Sequence, residues 1–300
     1  MISRRRFRTF AIIVAAVFLV GGRLAHAQGN GNAYGHSKSR PGAAAQPSAA
    51  GAPELQTAGI STLSFGSWLD DASLIPAGGG TMSVAFSYWR TPSYREVDVP
   101  VIDGGVGIAR RVQFNFSVPY YHASDPDGTV VRGLGDLYLS TKIQLKDPSS
   151  GTRTIGVALT PLVEILTYAP RPDASRVSWA IPANLEYRAD RWRMFGSAGY
   201  FSRGALFASG AVEIAITDRT SLTGSISRSH SIRRDDFSTA LGLAQSRTDV
   251  SGALSVALTP TVSAFGAIAR TVSRQDANSS TLALTSGIAF VFEAWHRSPI

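Results

Sequence analysis

Gly133-Leu134-Gly135-Asp136-Leu137-Tyr138-Leu139-Ser140-Thr141-Lys142-Ile143-Gln144-Leu145 is the stretch that decides the fold. From Asp136 onward it alternates strictly. Leu137, Leu139, Thr141, Ile143 and Leu145 share one face, while Asp136, Tyr138, Ser140, Lys142 and Gln144 share the other. Side chains of a strand point to opposite faces with a period of two, so this segment has one apolar and one polar side. A strand of a soluble sandwich carries the same alternation. Length and recurrence separate the two readings, because a tilted bilayer-crossing strand needs about 9–11 residues against about 5–6 for an ordinary one.

The alternation recurs along the chain. Met82, Val84, Phe86 and Tyr88 share a face, and so do Val112, Phe114, Phe116, Val118 and Tyr120, with Gln113, Asn115 and Ser117 opposite. Further sets follow at Ile155–Ile165, Val177–Tyr187, Leu206–Ile216, Val250–Leu258 and Leu282–Phe292, and no 3.6-residue period competes with them. The linking segments alternate between short and long. Short turns are expected at Arg110-Arg111, 146–151, 188–191, 218–220 and Thr259-Pro260-Thr261; longer or more polar links fall at 92–95, 123–133, 167–175, 229–247 and 272–280, with a brief one at Arg203-Gly204. Five short turns and six links on the other side predict twelve strands with both ends on one side, the periplasmic one. The fold class is thus all-β: an antiparallel transmembrane outer-membrane β-barrel of about twelve strands. Gly104-Gly105 interrupts the second strand as a bulge would, and over 192–202 neither face is clean.

The Gly133-Leu134-Gly135-Asp136 start of an alternating strand with a Lys resembles the signature of the MetA-pathway of phenol degradation family. The stretch from Thr248-Asp249-Val250-Ser251-Gly252 to Ala269-Arg270-Thr271 is similar to the strand, tight turn and strand near the end of those proteins. The resemblance spans about residues 70–292. It implies an outer-membrane barrel of transporter type and hints at aromatic or hydrophobic solutes.

Composition agrees with a barrel. Only 17% of residues are charged, against about 25% in soluble domains, and Ser, Thr, Gly and Ala take their place. There is no Cys, which removes disulfide scaffolds and thiolate metal sites. The formal charge of +8 is mostly a targeting signal: residues 1–27 hold five Arg and no acid, and without them the balance is +3. No basic patch for nucleic acid remains.

Residues 1–27 read as a signal peptide, with Arg4, Arg5, Arg6 and Arg8, an apolar run over 9–22, and Ala25-His26-Ala27 ahead of the cleavage point. Ser3-Arg4-Arg5-Arg6-Phe7 also resembles a twin-arginine motif, a route that suits an unfolded barrel poorly. Residues 28–58 form a low-complexity periplasmic linker unable to bury enough surface to order itself. Residues 59–80, with Ile60, Leu63, Phe65, Trp68 and Leu69, are expected to pack at the barrel's mouth or in its lumen. The barrel is assigned to 81–292 and a short tail to 293–300. The aromatics that end the last strand, Phe290 and Phe292, resemble the signal read by the outer-membrane assembly machinery. Trp89, Tyr120, Tyr121, Trp179, Tyr187, Trp192 and Tyr200 suit the aromatic girdles at headgroup depth.

If the apolar sets face lipid, their neighbours face inward. That places Asp136, Lys142, Glu164, Glu186 and Glu213 in the lumen with Gln113, Asn115, Tyr138, Gln144 and Asn184. A Lys or Arg turned to lipid at midplane would cost about 2–4 kcal/mol. The inward set suits a pore lining that admits small solutes; a salt-bridged interior that only holds the barrel in shape would use the same residues. About eight strands fill completely with side chains and about sixteen leave an aqueous channel. Catalysis is not expected. His122 and His230 each stand near Ser or Asp (Ser124, Asp125; Ser229, Asp235), but no Gly-x-Ser-x-Gly elbow appears. Asp125-Pro126-Asp127-Gly128 lacks the acidic ladder of a calcium loop, and no cofactor motif is present. Expected partners are outer-membrane lipid and lipopolysaccharide, the assembly machinery and a small-molecule solute.

Overall fold

The computed structural model describes residues 69–294, apart from residues 93, 125–127, 129, 149–152, 168–175, 190, 203, 234–243, 274–275 and 277–278. Fourteen strands run in chain order: β1 (Gly79–Arg90), β2 (Arg95–Ala109), β3 (Val112–Ser124), β4 (Val130–Leu134), β5 (Leu137–Lys146), β6 (Ile155–Leu159), β7 (Leu162–Ile165), β8 (Val177–Arg188), β9 (Trp192–Phe201), β10 (Ala205–Thr217), β11 (Thr220–Ser231), β12 (Ser246–Ala257), β13 (Val262–Ser273) and β14 (Leu282–Glu293). All neighbours pair antiparallel. β1 pairs with β14 from Gly79–Glu293 to Arg90–Leu282, so the sheet closes on itself.

β4 and β5 both pair with β3, and β6 and β7 both pair with β8, so fourteen segments make twelve staves. Proline explains the interruptions. Pro161 has no N–H for the ladder between β6 and β7, although its carbonyl still accepts from the Thr141 amide at 3.0 Å. Opposite the gap between β4 and β5, Gly135 donates to the Pro119 carbonyl at 2.8 Å. The twelve staves, the alternation of short and long links, and the shared end for both termini match the sequence reading.

Outward and inward faces separate cleanly. Among the described residues thirty large apolar side chains are exposed, including Met82, Val84, Phe86, Trp179, Ile181, Ile214, Ile268, Phe290 and Phe292. Patches on soluble monomers reach only a few hundred Å², so a lipid surround is what this surface fits. Trp179 stacks edge-on against Tyr200 at 6.0 Å, and Tyr187 lies against Trp192 at 5.4 Å, both across β8 and β9. Trp179 and Tyr187 are eight residues apart on one strand. At about 3.3 Å per residue and a tilt of about 40°, that separates the two aromatic levels by roughly 20 Å, close to the height of an apolar band.

Three details differ from the sequence reading. Trp89 and Tyr121 do not join a girdle: Trp89 is buried inside the barrel in a cluster with Leu69 and Phe195, and Tyr121 lies on the inward face of β3 against Gly133. Gly104-Gly105 is not a bulge, because the register with β1 and β3 runs unbroken from Val101 to Val106. The shift falls at Val99-Pro100 instead, where proline cannot donate to the ladder. Residues 1–68, including Ile60, Leu63, Phe65 and Trp68 of the segment expected at the mouth or in the lumen, and the tail beyond Ala294, with Trp295, lie outside the described residues.

Candidate functional site: a gripped segment in the lumen

Residues 69–78 precede the first strand and run inside the barrel. Leu69, Asp70, Asp71, Ala72, Ser73, Leu74 and Ile75 are all at most 5% exposed. Two glycines of β2 make room for them. A Cβ at Gly105 would stand 2.8 Å from Ile75 Cδ1, and one at Gly107 would collide with the Ile75 and Pro76 carbonyls. With that space open, the Gly78 amide donates to the Gly107 carbonyl at 2.8 Å and fixes the segment at the short-turn end.

Higher in the lumen the segment is held by side chains of β3, β5, β8 and β9. Lys142 donates to Asp70 Oδ1 at 2.8 Å, Asp71 Oδ1 at 3.1 Å and the Ser73 carbonyl at 3.2 Å. Its side chain is 1% exposed. A lone ammonium there would be prohibitive to bury; the two plug carboxylates are what make its position tenable. Asn184 donates to Asp70 Oδ2 at 3.1 Å and Gln144 to the Ala72 carbonyl at 2.9 Å. Gln113 accepts from the Ile75 amide at 2.6 Å and is steadied in turn by Asn115.

On the next strands, Glu186 Oε2 accepts from the Ala72 amide at 3.1 Å and the Ser73 hydroxyl at 2.6 Å. Arg188 donates to the Ser73 hydroxyl at 2.6 Å and to Glu186 Oε1 at 2.6 Å. Arg193 bridges outward from the segment: Nη1 reaches Asp71 Oδ2 at 2.8 Å and Nη2 reaches Glu213 Oε2 at 3.0 Å. Burial pushes the Asp71 carboxyl up, but the charges of Lys142, Arg193 and Arg188 outweigh it and hold it below its ordinary value.

All ten residues expected to line the interior point inward, in two groups, with Gln144 and Asn184 among those that hold the segment. Lys142, Glu186, Gln113 and Asn115 grip the segment or back those that do, and Glu213 joins through Arg193. Glu164, Tyr138 and Asp136 stand apart from it. Tyr138 donates to Glu164 Oε1 at 2.6 Å, Ser178 donates to Oε2 at 2.5 Å, and Asp136 accepts from the Thr167 amide at 3.3 Å. Beside this trio Tyr138, Leu162, Ala180, Phe201 and Phe207 form a buried apolar cluster. His122 lies edge-on to Tyr120 at 5.2 Å, and His230 Nδ1 pairs with the Ser246 hydroxyl at 2.7 Å, both on the outward side. Asp125, Asp127 and Asp235 fall outside the described residues.

Arg193 escaped the sequence reading because β9 disguises its faces. Its inward side carries Arg193, Phe195 and Phe201, and its outward side carries Met194, Gly196 and Ala198. The Arg193 guanidinium lies 4.7 Å over the Phe195 ring, a stacking that suits a cation among apolar neighbours. The signal that was available is Asp70-Asp71: two adjacent acids beside Trp68-Leu69, ahead of a barrel whose inward face offers a Lys.

A closed twelve-stave antiparallel barrel with an apolar outer band defines the class: the fold of outer-membrane β-barrels. The chain is similar to the COG4313 outer membrane channel from Pseudomonas putida F1, with a TM-score of 0.56 at 15% identity over 74% of this chain and 98% of that one. It is also similar to the NanC porin, with a TM-score of 0.50 at 12% identity over 70% and 98%. These likenesses are of fold. No family model matches the chain, and what the structural likenesses support of the phenol-degradation resemblance is the outer-membrane barrel. No curated protein matches it either.

Proposed function

We propose that the protein is a bacterial outer-membrane channel for passive entry of small solutes, with residues 69–78 as its gate. The observation that carries this reading is the Lys142–Asp70–Asp71 contact. Most groups that bind the segment are charged or strongly polar, and water can replace each partner if the segment leaves. A net hydrogen bond contributes only about 0.5–1.5 kcal/mol, so exchange for water is far less costly than tearing out an apolar core. Small aromatic or apolar compounds are the proposed solutes, on the strength of the family resemblance and of the luminal cluster of Leu162, Phe201 and Phe207. The assembly machinery would read Phe290 and Phe292 at the end of β14.

The near-complete burial of 69–75 favours a second reading, a permanently closed barrel with a structural or surface role. Single-channel conductance and liposome swelling decide between them, with the wild type and Asp70→Asn/Asp71→Asn side by side. The channel reading expects low conductance in the wild type and a several-fold rise in the variant. A barrel that stays closed in both contradicts it and leaves the structural role.

A further inference from the structure

The outward surface holds a charge pattern that neither lipid burial nor the lumen explains. Every carboxylate within the strands from Glu96 to Asp249 lies on the inward side: Glu96, Asp98, Asp103, Glu164, Glu186, Glu213 and Asp249 are all buried or half-buried. The outward faces at the long-loop end carry arginines instead, at Arg90, Arg95, Arg132, Arg228 and Arg270, all exposed. Arg90 is the last residue of β1 and Arg95 the first of β2, and the two pair directly across the hairpin. Like charges directly opposite destabilise a sheet.

The register extends this pair into a row. Arg90 pairs with Leu282 of β14, and Arg270 follows directly after the Ala269–Ala283 pair of β13 with β14. Arg270, Leu282, Arg90 and Arg95 therefore run side by side across four strands. At about 4.8 Å per strand, Arg90 and Arg95 stand about 5 Å apart and Arg270 about 10 Å from Arg90. Among the described residues no ion pair neutralises any of the three. Guanidinium groups bind phosphate oxygens in bidentate fashion, and each basic residue near an anionic membrane surface contributes about 1 kcal/mol.

We propose that Arg90, Arg95 and Arg270 form a binding site for the phosphorylated glucosamine headgroup of an outer-leaflet glycolipid, a lipid A-type molecule. Its acyl chains would lie along Leu284, Phe86 and Ile268 below the row, all on the same outward face. The proposal rests on the outer-membrane reading above, with the long-loop end facing out, and does not depend on whether the lumen conducts.

The test uses the full-length mature barrel refolded into phosphatidylcholine vesicles, with its melting temperature followed by the loss of the heat-modifiable gel shift. Bisphosphorylated lipid A, its dephosphorylated form and inorganic phosphate are added separately. The expected result is an upward shift with bisphosphorylated lipid A alone. In Arg90→Gln/Arg95→Gln/Arg270→Gln the lipid A concentration needed should rise roughly tenfold or more, while Arg111→Gln/Arg219→Gln at the short-turn end behaves as wild type. An equal shift with inorganic phosphate, no shift with lipid A, or an unaltered triple variant would overturn the site. A chain that never becomes heat-modifiable would bring down the barrel reading with it. Unaltered conductance in the triple variant separates this site from the gate.

Discussion

Two walls of the barrel face each other across the lumen and are built on different principles. The wall of β3, β5, β8 and β9 presents Gln113, Lys142, Gln144, Asn184, Glu186, Arg188 and Arg193, and each reaches residues 69–78. The wall of β11 to β14, with β1, presents mostly Ser, Thr and Ala. Two hydroxyl pairs lie within it, Ser225 with Ser251 at 2.7 Å and Ser87 with Thr285 at 2.7 Å, while the Ser255 and Ser263 hydroxyls are buried without a partner among the described residues. Ala253, Ala267, Ala269 and Ala283 join Leu69 and Trp89 in an apolar cluster. The small wall meets the segment through an apolar contact at Leu69. The charged wall needs either the segment or water, and that difference is what makes it the grip.

The largest expected effect comes from the charged wall. Lys142→Ala leaves Asp70 without its nearest cation and removes one of the cations that hold Asp71 beside Arg193. Removing one partner of a buried pair costs about 3–5 kcal/mol, enough to unseat the segment, so single-channel conductance should rise several-fold. A smaller rise is expected for Gly105→Val, which alters no charge. The new side chain would press on Ile75 and Asn115, and overpacking costs about 1–3 kcal/mol. On the small wall the sign should reverse: Ala253→Phe placed in the Asp70→Asn/Asp71→Asn background should narrow the released lumen and lower its conductance. If Ala253→Phe matches Lys142→Ala in direction, the two walls are not different in kind.

The smallest effect concerns pH. Asp71 is held below its ordinary value, so the stability it gives is present above the ordinary carboxylate value of about 3.9 and is lost only as pH falls through the lowered one. Conductance should therefore stay flat from neutral pH down to about 4 and rise only in stronger acid. A rise beginning near pH 6 would show that another group releases the segment.

Much of this was legible in the sequence where the two faces of a strand differ in chemistry. β5 alternates leucines with Tyr138, Ser140, Lys142 and Gln144, and both its orientation and its inward residues could be read directly. β9 was opaque because Phe195 and Phe201 are inward while Gly196 and Ala198 are outward, the reverse of the rule for a lipid-facing strand. Trp89 was misplaced for the same reason: an aromatic near a strand end suits a girdle unless something inside needs a lid, and here Leu69 does. Position 99–100 hid its register shift because proline marks an irregularity without saying how the partners adjust. The pairing that makes the grip left only the trace of two adjacent acids ahead of a barrel with an inward Lys, since Asp70 and Lys142 are far apart in sequence and no local period connects them.

The most direct test of the gate locks it in place. The chain has no Cys, so Ile75→Cys/Gly105→Cys introduces the only two thiols, at positions already in contact. Conductance is measured in planar bilayers before and after reduction. The account expects an oxidised channel that stays shut and a reduced one that opens at least as often as the wild type. Equal conductance in both states, with the disulfide verified by mass spectrometry, would mean that residues 69–78 do not control passage through this barrel.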